Sequence, residues 1–278
     1  MHNPLQLGLI FILMPANWLI ETYKWNLVIK RFQLLSFSQA FQSILVGVLL
    51  SILSPNRIGE LGGRLVFIKK NSLLAAFYGN ILSAISQLLI TLLTGLLAVF
   101  FLNETLAAYV NLSAIWIKAL SVGIIVISLF IYFSSDFLRK ALIFFIKKLK
   151  ISSMEINQVY GRKIRVQLLL LSLFRYFVFS FQFGLALWVF EVEMEYSQAL
   201  AGISMVFLAA AIVPTTWISN LPVRGSIAYL VFETLFNFGM EALFSSFFLW
   251  IINLLIPACL GLFVLPKVNW IRLKNLRL

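Results

Sequence analysis

Histidine and cysteine are nearly missing from this chain: one of each stands in 278 residues, His2 and Cys259. With the histidine at an extreme terminus, imidazole acid–base catalysis, His-ligated metals and His proton relays lose their residues. One cysteine in an apolar run supplies neither a disulfide framework nor a thiolate metal cluster, and it is expected to be a small buried apolar residue. Charge is scarce as well. Only 12% of the residues are charged against 62% hydrophobic, and the mean hydropathy is +0.99, which excludes an ordinary soluble domain. Nucleotide-binding glycine patterns and paired carboxylates within one segment are absent too, leaving Glu60, Glu233 and Glu241 as isolated acids. No catalytic constellation and no cofactor are expected.

What the chain does have is apolar runs of about 16 to 30 residues, where a helical span needs about 20, without the short apolar/polar alternation of membrane barrels. The expected fold class is an all-α polytopic membrane protein, a helical bundle. Met1 to Leu5 carries no basic n-region, so the first helix is expected to stay as a span. The net charge is +12, but most basic residues flank the runs, where orientation and anionic lipid account for them better than nucleic acid does.

In chain order, Leu5 to Ile20 is the first run, passing into Glu21-Thr22-Tyr23-Lys24-Trp25, whose aromatics and lysine suit an interface. Ala40 to Leu53 is short and stops at the polar break Ser54 to Arg64; the remnant before Lys69-Lys70 cannot cross a bilayer. With basic residues on both flanks, Phe37 to Lys70 reads as a re-entrant hairpin entered from the cytoplasm. Leu73 to Leu102 is a long span with Asn80 and Gln87 seven apart on one face, a buried polar stripe. Ser113 to Phe133 crosses back. Asp136 to Arg165 then gathers eight Lys/Arg, the strongest inside marker, and its 137–148 stretch has the makings of an interfacial helix or of a solvated connector. Val166 to Phe190 is the next span, with Arg175 about a third of the way along, either facing a cavity or snorkelling to the interface. After an acidic loop at Glu191, Glu193 and Glu195, the chain runs from Ala199 to Val213, breaks at Pro214 to Ser226 and resumes from Ile227 to Phe238. Ala242 to Leu265 crosses inward to a basic tail.

The flanking charges divide one membrane domain into a repeat over 5–102, a connecting span with its basic segment over 103–165, a second repeat over 166–265 and a tail over 266–278. The two repeats are inverted in topology, the second hairpin entering from outside, although 199–238 also reads as two ordinary spans. Inverted repeats with broken helices are a transporter pattern, with sites where the breaks meet.

A break at membrane depth survives mainly where it lines something, so both breaks are candidate sites. In the first, Arg57 and Glu60 are three apart and Arg64 lies four beyond Glu60, so one helical turn brings them to one side. Arginine forks bind carboxylate or phosphate oxygens, and a helix start near Gly59 adds backbone donors. In the second, Arg224 is the sole charge, followed by Gly225 and Ser226. The alternative is a rigid plug in which these charges only satisfy one another.

At these places the chain resembles the flippase-like membrane domain of the lysylphosphatidylglycerol synthase family. The residues that carry the likeness are Asn17-Trp18 with Glu21 and Lys24-Trp25, the stretch Pro55-Asn56-Arg57-Ile58-Gly59-Glu60 with Gly63-Arg64, and Val223-Arg224-Gly225-Ser226. The second motif departs from the family's pattern, because Gly225 stands where a glutamate is common; only Arg224 carries over. The aminoacyl-transferring domain of the synthases is not in this sequence, so lipid aminoacylation is not expected of it. The resemblance implies a flippase or scramblase for an anionic or lipid-linked substrate, held by Asn56, Arg57, Gly59, Glu60, Arg64, Arg175, Arg224 and Ser226. Anionic membrane lipids are the expected partners and the bacterial cytoplasmic membrane the expected location, with the C-terminus inside. The competing readings are a non-transporting partner of a membrane lipid- or glycan-synthesis enzyme and a membrane glycosyltransferase. Glu60 is the candidate proton carrier if transport is ion-coupled.

Overall fold

The structure is a computed structural model and describes residues 4–54, 58–109, 112–134, 160–213 and 220–267. Those residues form ten helices and, among them, no strand. Five helices or helical runs are long and apolar enough to cross a membrane: Pro4–Ile29, Lys70–Phe101, Ala114–Phe133, Arg162–Val189 and Gly239–Val264. The chain is an all-α integral membrane protein.

The first helix, α1, runs Pro4–Ile29 without stopping at Ile20, so Glu21, Lys24 and Trp25 are part of it and are buried. Their side chains thus face the interior of the bundle. The reason is periodicity: Asn17, Glu21 and Lys24 recur at i, i+4 and i+7, one inward face that the rest of the bundle supplies with partners. Next, α2 spans Phe37–Ile52 and is started by a capping box, in which Ser36 Oγ accepts from the Gln39 amide at 3.2 Å and Gln39 Oε1 accepts from the Ser36 amide at 3.1 Å.

The short helix α3, Ile58–Leu65, turns back along α2. Most of the stretch read from sequence as a break, Gly59 to Arg64, is thus helical. The two helices approach closely because glycines face each other: a Cβ at Gly63 would lie 2.5 Å from the Gly47 Cα, and Gly59 is pressed against the Leu50 carbonyl. At 1.5 Å per residue, α2 is about 24 Å long and α3 about 12 Å, both short of a hydrocarbon core of about 30 Å.

Leu73–Phe101 forms α4, Asn103–Ala107 the short α5 and Ala114–Phe133 the span α6. At the far end of α6, Arg165 is buried among carbonyls, donating from Nε to the Tyr160 oxygen at 3.1 Å and from Nη1 to the Tyr132 oxygen. A cation at a helix C-terminus offsets the partial charge of its last carbonyls. Burial pushes the neighbouring Tyr160 phenol up, so it stays neutral where it packs between α1 and α4.

The long helix α7, Arg162–Val189, begins four residues before the apolar run does, which moves Arg175 to the middle of the helix. Tyr196–Ile212 is α8 and Asn220–Phe236 is α9. The second break is accordingly narrower than the sequence indicates, since Leu221 to Ser226 are helical; Pro222 is tolerated in the first turn, where amides lack helical acceptors anyway. Gly202 near the start of α8 meets Phe232 and Phe236 near the end of α9, so the pair is antiparallel.

Gly239–Val264 is α10, which loosens into a π-helical stretch at Ile251–Leu255. Pro257 follows directly, and its missing amide removes the donor that the Asn253 carbonyl would receive in an α-helix. Cys259 on this helix is exposed, not buried as its apolar surroundings suggested; it lies on the outer face of the bundle. The 137–148 stretch and the tail beyond 267 lie outside the described residues.

Four buried clusters hold these elements together, the smallest, Leu45, Val46 and Val264, between α2 and the end of α10. One joins α7, α8, α9 and α10 to the first half of α1, a second joins the other half of α1 to α2, α4 and α10, and a third packs α1 and α4 with α6 and α7. The polar face of α1 is left between them.

Candidate functional site

Glu21 is the centre of the site, 3% exposed and in contact with three cations from three elements. Arg64 Nη1 of α3 lies 2.7 Å from Oε1, Arg175 Nη1 of α7 lies 3.0 Å from Oε2, and Lys24 Nζ, one turn along α1, lies 3.4 Å from Oε2. Arg64 also pairs with Glu60 through Nη2 and donates to Asn80 Oδ1 at 3.1 Å. Arg175 donates from Nε to Asn17 Oδ1 at 2.7 Å, and its guanidinium sits between the rings of Trp18 and Phe179, at 5.5 and 5.3 Å from their centroids. Lys24 reaches Gln87 Oε1 at 3.5 Å.

Each helix delivers its residues for a local reason. The α1 face has been described; α3 places Glu60 and Arg64 four apart, one above the other; α4 presents Asn80 and Gln87 along the polar stripe expected from their spacing, and Ser83 on the same face. Lys24, Arg64 and Arg175 against Glu21 and Glu60 leave one positive charge in excess among the described residues. These side chains line a cavity of about 390 Å³, together with Leu61 and Thr91. Three buried atoms of its lining residues, Arg64 Nε, Asn80 Nδ2 and Ser83 Oγ, have no hydrogen-bond partner among the described residues. Two of them are donors only, and the third is a hydroxyl that donates readily.

Arg175 also lines a smaller cavity of about 100 Å³, together with Trp18, Phe179, Phe207, Arg224, Trp250 and Asn253. Arg175 is the one arginine common to both cavities.

Of the residues singled out from sequence, Glu60, Arg64 and Arg175 meet in the first cavity. The cavity-facing alternative for Arg175 is the one found, since its guanidinium is paired and stacked inside the bundle. Arg224 lines the second cavity, apart from Glu60 and Arg64. Gly59 serves the α2–α3 contact, its amide donating to Ser54 Oγ at 2.7 Å. Ser226 is exposed and lines neither cavity. Asn56 and Arg57 lie outside the described residues. Asn17, read from sequence as part of the first apolar run, and Glu21 and Lys24, read as suiting an interface, were missed as a centre; their i, i+4, i+7 spacing was the available signal. Among the described residues no cluster of three or more His, Cys, Asp or Glu side chains comes together.

No family model matches the chain, and no curated protein sequence matches it. The likeness to the membrane domain of the lysylphosphatidylglycerol synthases rests on the motif residues alone. The class that fold and site define is an integral membrane protein with a buried, positively biased polar cavity.

Proposed function

We propose that this protein moves an anionic phospholipid or lipid-linked substrate between leaflets, as a flippase or scramblase, with the anionic head group held in the cavity around Glu21. The observation that carries this is the wall of that cavity: an excess of buried positive charge beside the unpartnered Arg64 Nε, Asn80 Nδ2 and Ser83 Oγ. Unsatisfied donors at membrane depth are costly, and an anion's oxygens satisfy several at once. A volume of about 390 Å³ lies in the range of about 300–1,000 Å³ for small-molecule sites. The chemistry is binding and release; no bond-making step is assigned.

In this proposal α2–α3 is a re-entrant hairpin open to the cytoplasm, α8–α9 is its counterpart from outside, and the domain is an inverted repeat. Packing supports the symmetry. Gly95 of α4 receives Leu208 of α8, while Gly261 of α10 lies against Leu45 and Leu49 of α2, so each long span closes on the opposite hairpin. Charge supports the orientation: Lys30, Arg31, Lys69, Lys70, Arg162 and Lys163 share one end of the bundle, and Glu104, Glu191, Glu193, Glu195 and Glu241 share the other. The basic end, and with it the C-terminus, is assigned to the cytoplasm.

The test is reconstitution. In phosphatidylcholine vesicles carrying a trace of fluorophore-labelled phosphatidylglycerol, the wild-type chain should expose inner-leaflet label to an impermeant quencher, and Arg64→Ala should abolish the exchange while the variant is still folded. Equal exchange by wild type and Arg64→Ala, or by empty vesicles, overturns the assignment. Binding of the lipid without exchange identifies a lipid-holding partner of a membrane enzyme instead.

A further inference from the structure

The second cavity has features that the head-group site does not use. Its walls are aromatic, yet two arginines reach it, and three buried atoms around it have no hydrogen-bond partner among the described residues: the indole nitrogens of Trp18 and Trp250, and Asn253 Oδ1. Asn253 Nδ2 is committed to Gln182 Oε1 at 2.9 Å and the Leu249 carbonyl at 3.2 Å, so its oxygen is the atom left over. It stands in the π-helical stretch of α10, an irregularity common at functional sites. Two indole N–H donors and two guanidinium groups suit phosphate oxygens, and a lone acceptor suits a hydroxyl carried beside them. At about 100 Å³ the space takes a phosphate with few further atoms.

Resting on the head-group reading above, we infer that the aromatic cavity is a second subsite for a phosphate monoester or diester, built by Arg224 and Arg175, and that Arg175 is handed from Glu21 to the phosphate as the anion arrives. Glu21 loses little in this exchange, because Arg64 at 2.7 Å and Lys24 at 3.4 Å stay with its carboxylate. Arg175 keeps its stacking throughout, since Trp18 and Phe179 line the cavity it turns towards. Depth agrees with a transfer. Counting at 1.5 Å per residue, Arg175 lies about 20 Å from either end of α7, with the Glu21 cavity towards the basic end and the aromatic cavity towards the acidic end. One arginine at mid-depth thus serves an anion on either side of it.

The test measures binding, independently of leaflet exchange. Full-length protein in phosphatidylcholine nanodiscs is titrated with dihexanoyl phosphatidylglycerol and, separately, with inorganic phosphate, by calorimetry and tryptophan fluorescence, with the melting temperature read alongside. Arg224→Gln should weaken binding about tenfold or more in a variant whose melting transition shows it folded, the loss of a charged hydrogen bond. Glu21→Gln, which frees Arg175 from its carboxylate, should tighten binding at the aromatic cavity severalfold, a change of opposite sign to that of a merely structural role. Unchanged binding in Arg224→Gln, or weaker binding in a folded Glu21→Gln, overturns the subsite; where Glu21→Gln does not fold, Arg224→Gln decides. An Arg224-dependent response to phosphatidylglycerol alone identifies a lipid head group as the occupant, and the same response to inorganic phosphate identifies a free anion; either supports the subsite. Arg224-dependent binding by a protein that moves no lipid overturns the transport function and leaves the subsite standing. Lipid movement with Arg224-independent binding does the reverse.

Discussion

Glu21 is one carboxylate shared by three cations, and this asymmetry sets what each side chain is worth. Removing one partner of a buried ion pair costs about 3–5 kcal/mol, chiefly because the other charge is left uncompensated. Glu21→Ala leaves Lys24 without a carboxylate and Arg64 with Glu60 alone, so it should destabilise the fold by at least that much. Arg175→Ala leaves Glu21 with two cations and should cost less, mainly the cation–π stacking on Trp18 and Phe179 and the Asn17 hydrogen bond. Denaturant unfolding of both variants in mild detergent checks the order; an Arg175→Ala loss equal to that of Glu21→Ala would remove Glu21 from the centre. On the proposed function, charge imbalance is what separates the cluster from a plug. A plug is best when its charges cancel, whereas here the net charge is one positive and three buried polar atoms of the lining residues have no partner among the described residues.

Among the elements, the α2–α3 hairpin depends most on single residues. Gly62 and Gly63 are adjacent on α3, yet a Cβ at Gly62 meets nothing within 4 Å, while one at Gly63 lies 2.5 Å from the Gly47 Cα and 2.6 Å from its nitrogen. Gly62→Ala should therefore leave stability level or raise it by about 0.5–1 kcal/mol, the ordinary helix preference for alanine. Gly63→Ala must part α3 from α2 and drag Arg64 with it. Its expected outcome is a lower melting temperature together with weaker anion binding, and a Gly63→Ala protein as stable as Gly62→Ala would refute the close packing of the pair. The same hairpin shows how far the sequence could be read. Helix breakers around Pro55 and the i, i+4 pair Glu60 and Arg64 were legible because local spacing governs both. The extent of α1 was not: Trp25 and Lys24 suit an interface by composition, and only partners from α3, α4 and α7, distant in sequence, make burial affordable. Arg175 is the same case, since snorkelling and cavity-facing differ only by whether Glu21 stands opposite. For α9 the apolar run understated the helix, because its first turn is polar and contains Pro222 yet remains helical.

At the scale of the whole molecule the question is which ends of the short helices share a side of the membrane. A chain with five long spans and two hairpins that do not cross has Ser38 and Asn71 on one side, and Ser197 and Met240 together on the other. If α2 crossed the bilayer instead, the first pair would be split, because the 8-residue α3 is too short to return; if α8 crossed and α9 did not, the second pair would be split, whereas two full spans would leave it together. All four residues are exposed and lie at element ends, so cysteines there disturb little. Cys259 is exposed as well and must first be replaced by serine. In intact cells a membrane-impermeant maleimide should label cysteines at 197 and 240, and reach 38 and 71 only after permeabilisation. Splitting of the 38 and 71 pair overturns the first hairpin, and splitting of the 197 and 240 pair overturns the second. The outcome matters for the site as well as for topology. Two hairpins entering from opposite faces bring Arg64 and Arg224 towards mid-depth from the two sides, with Arg175 between them on a helix that crosses; a span in place of either hairpin would leave only one cavity open to a head group from its own leaflet.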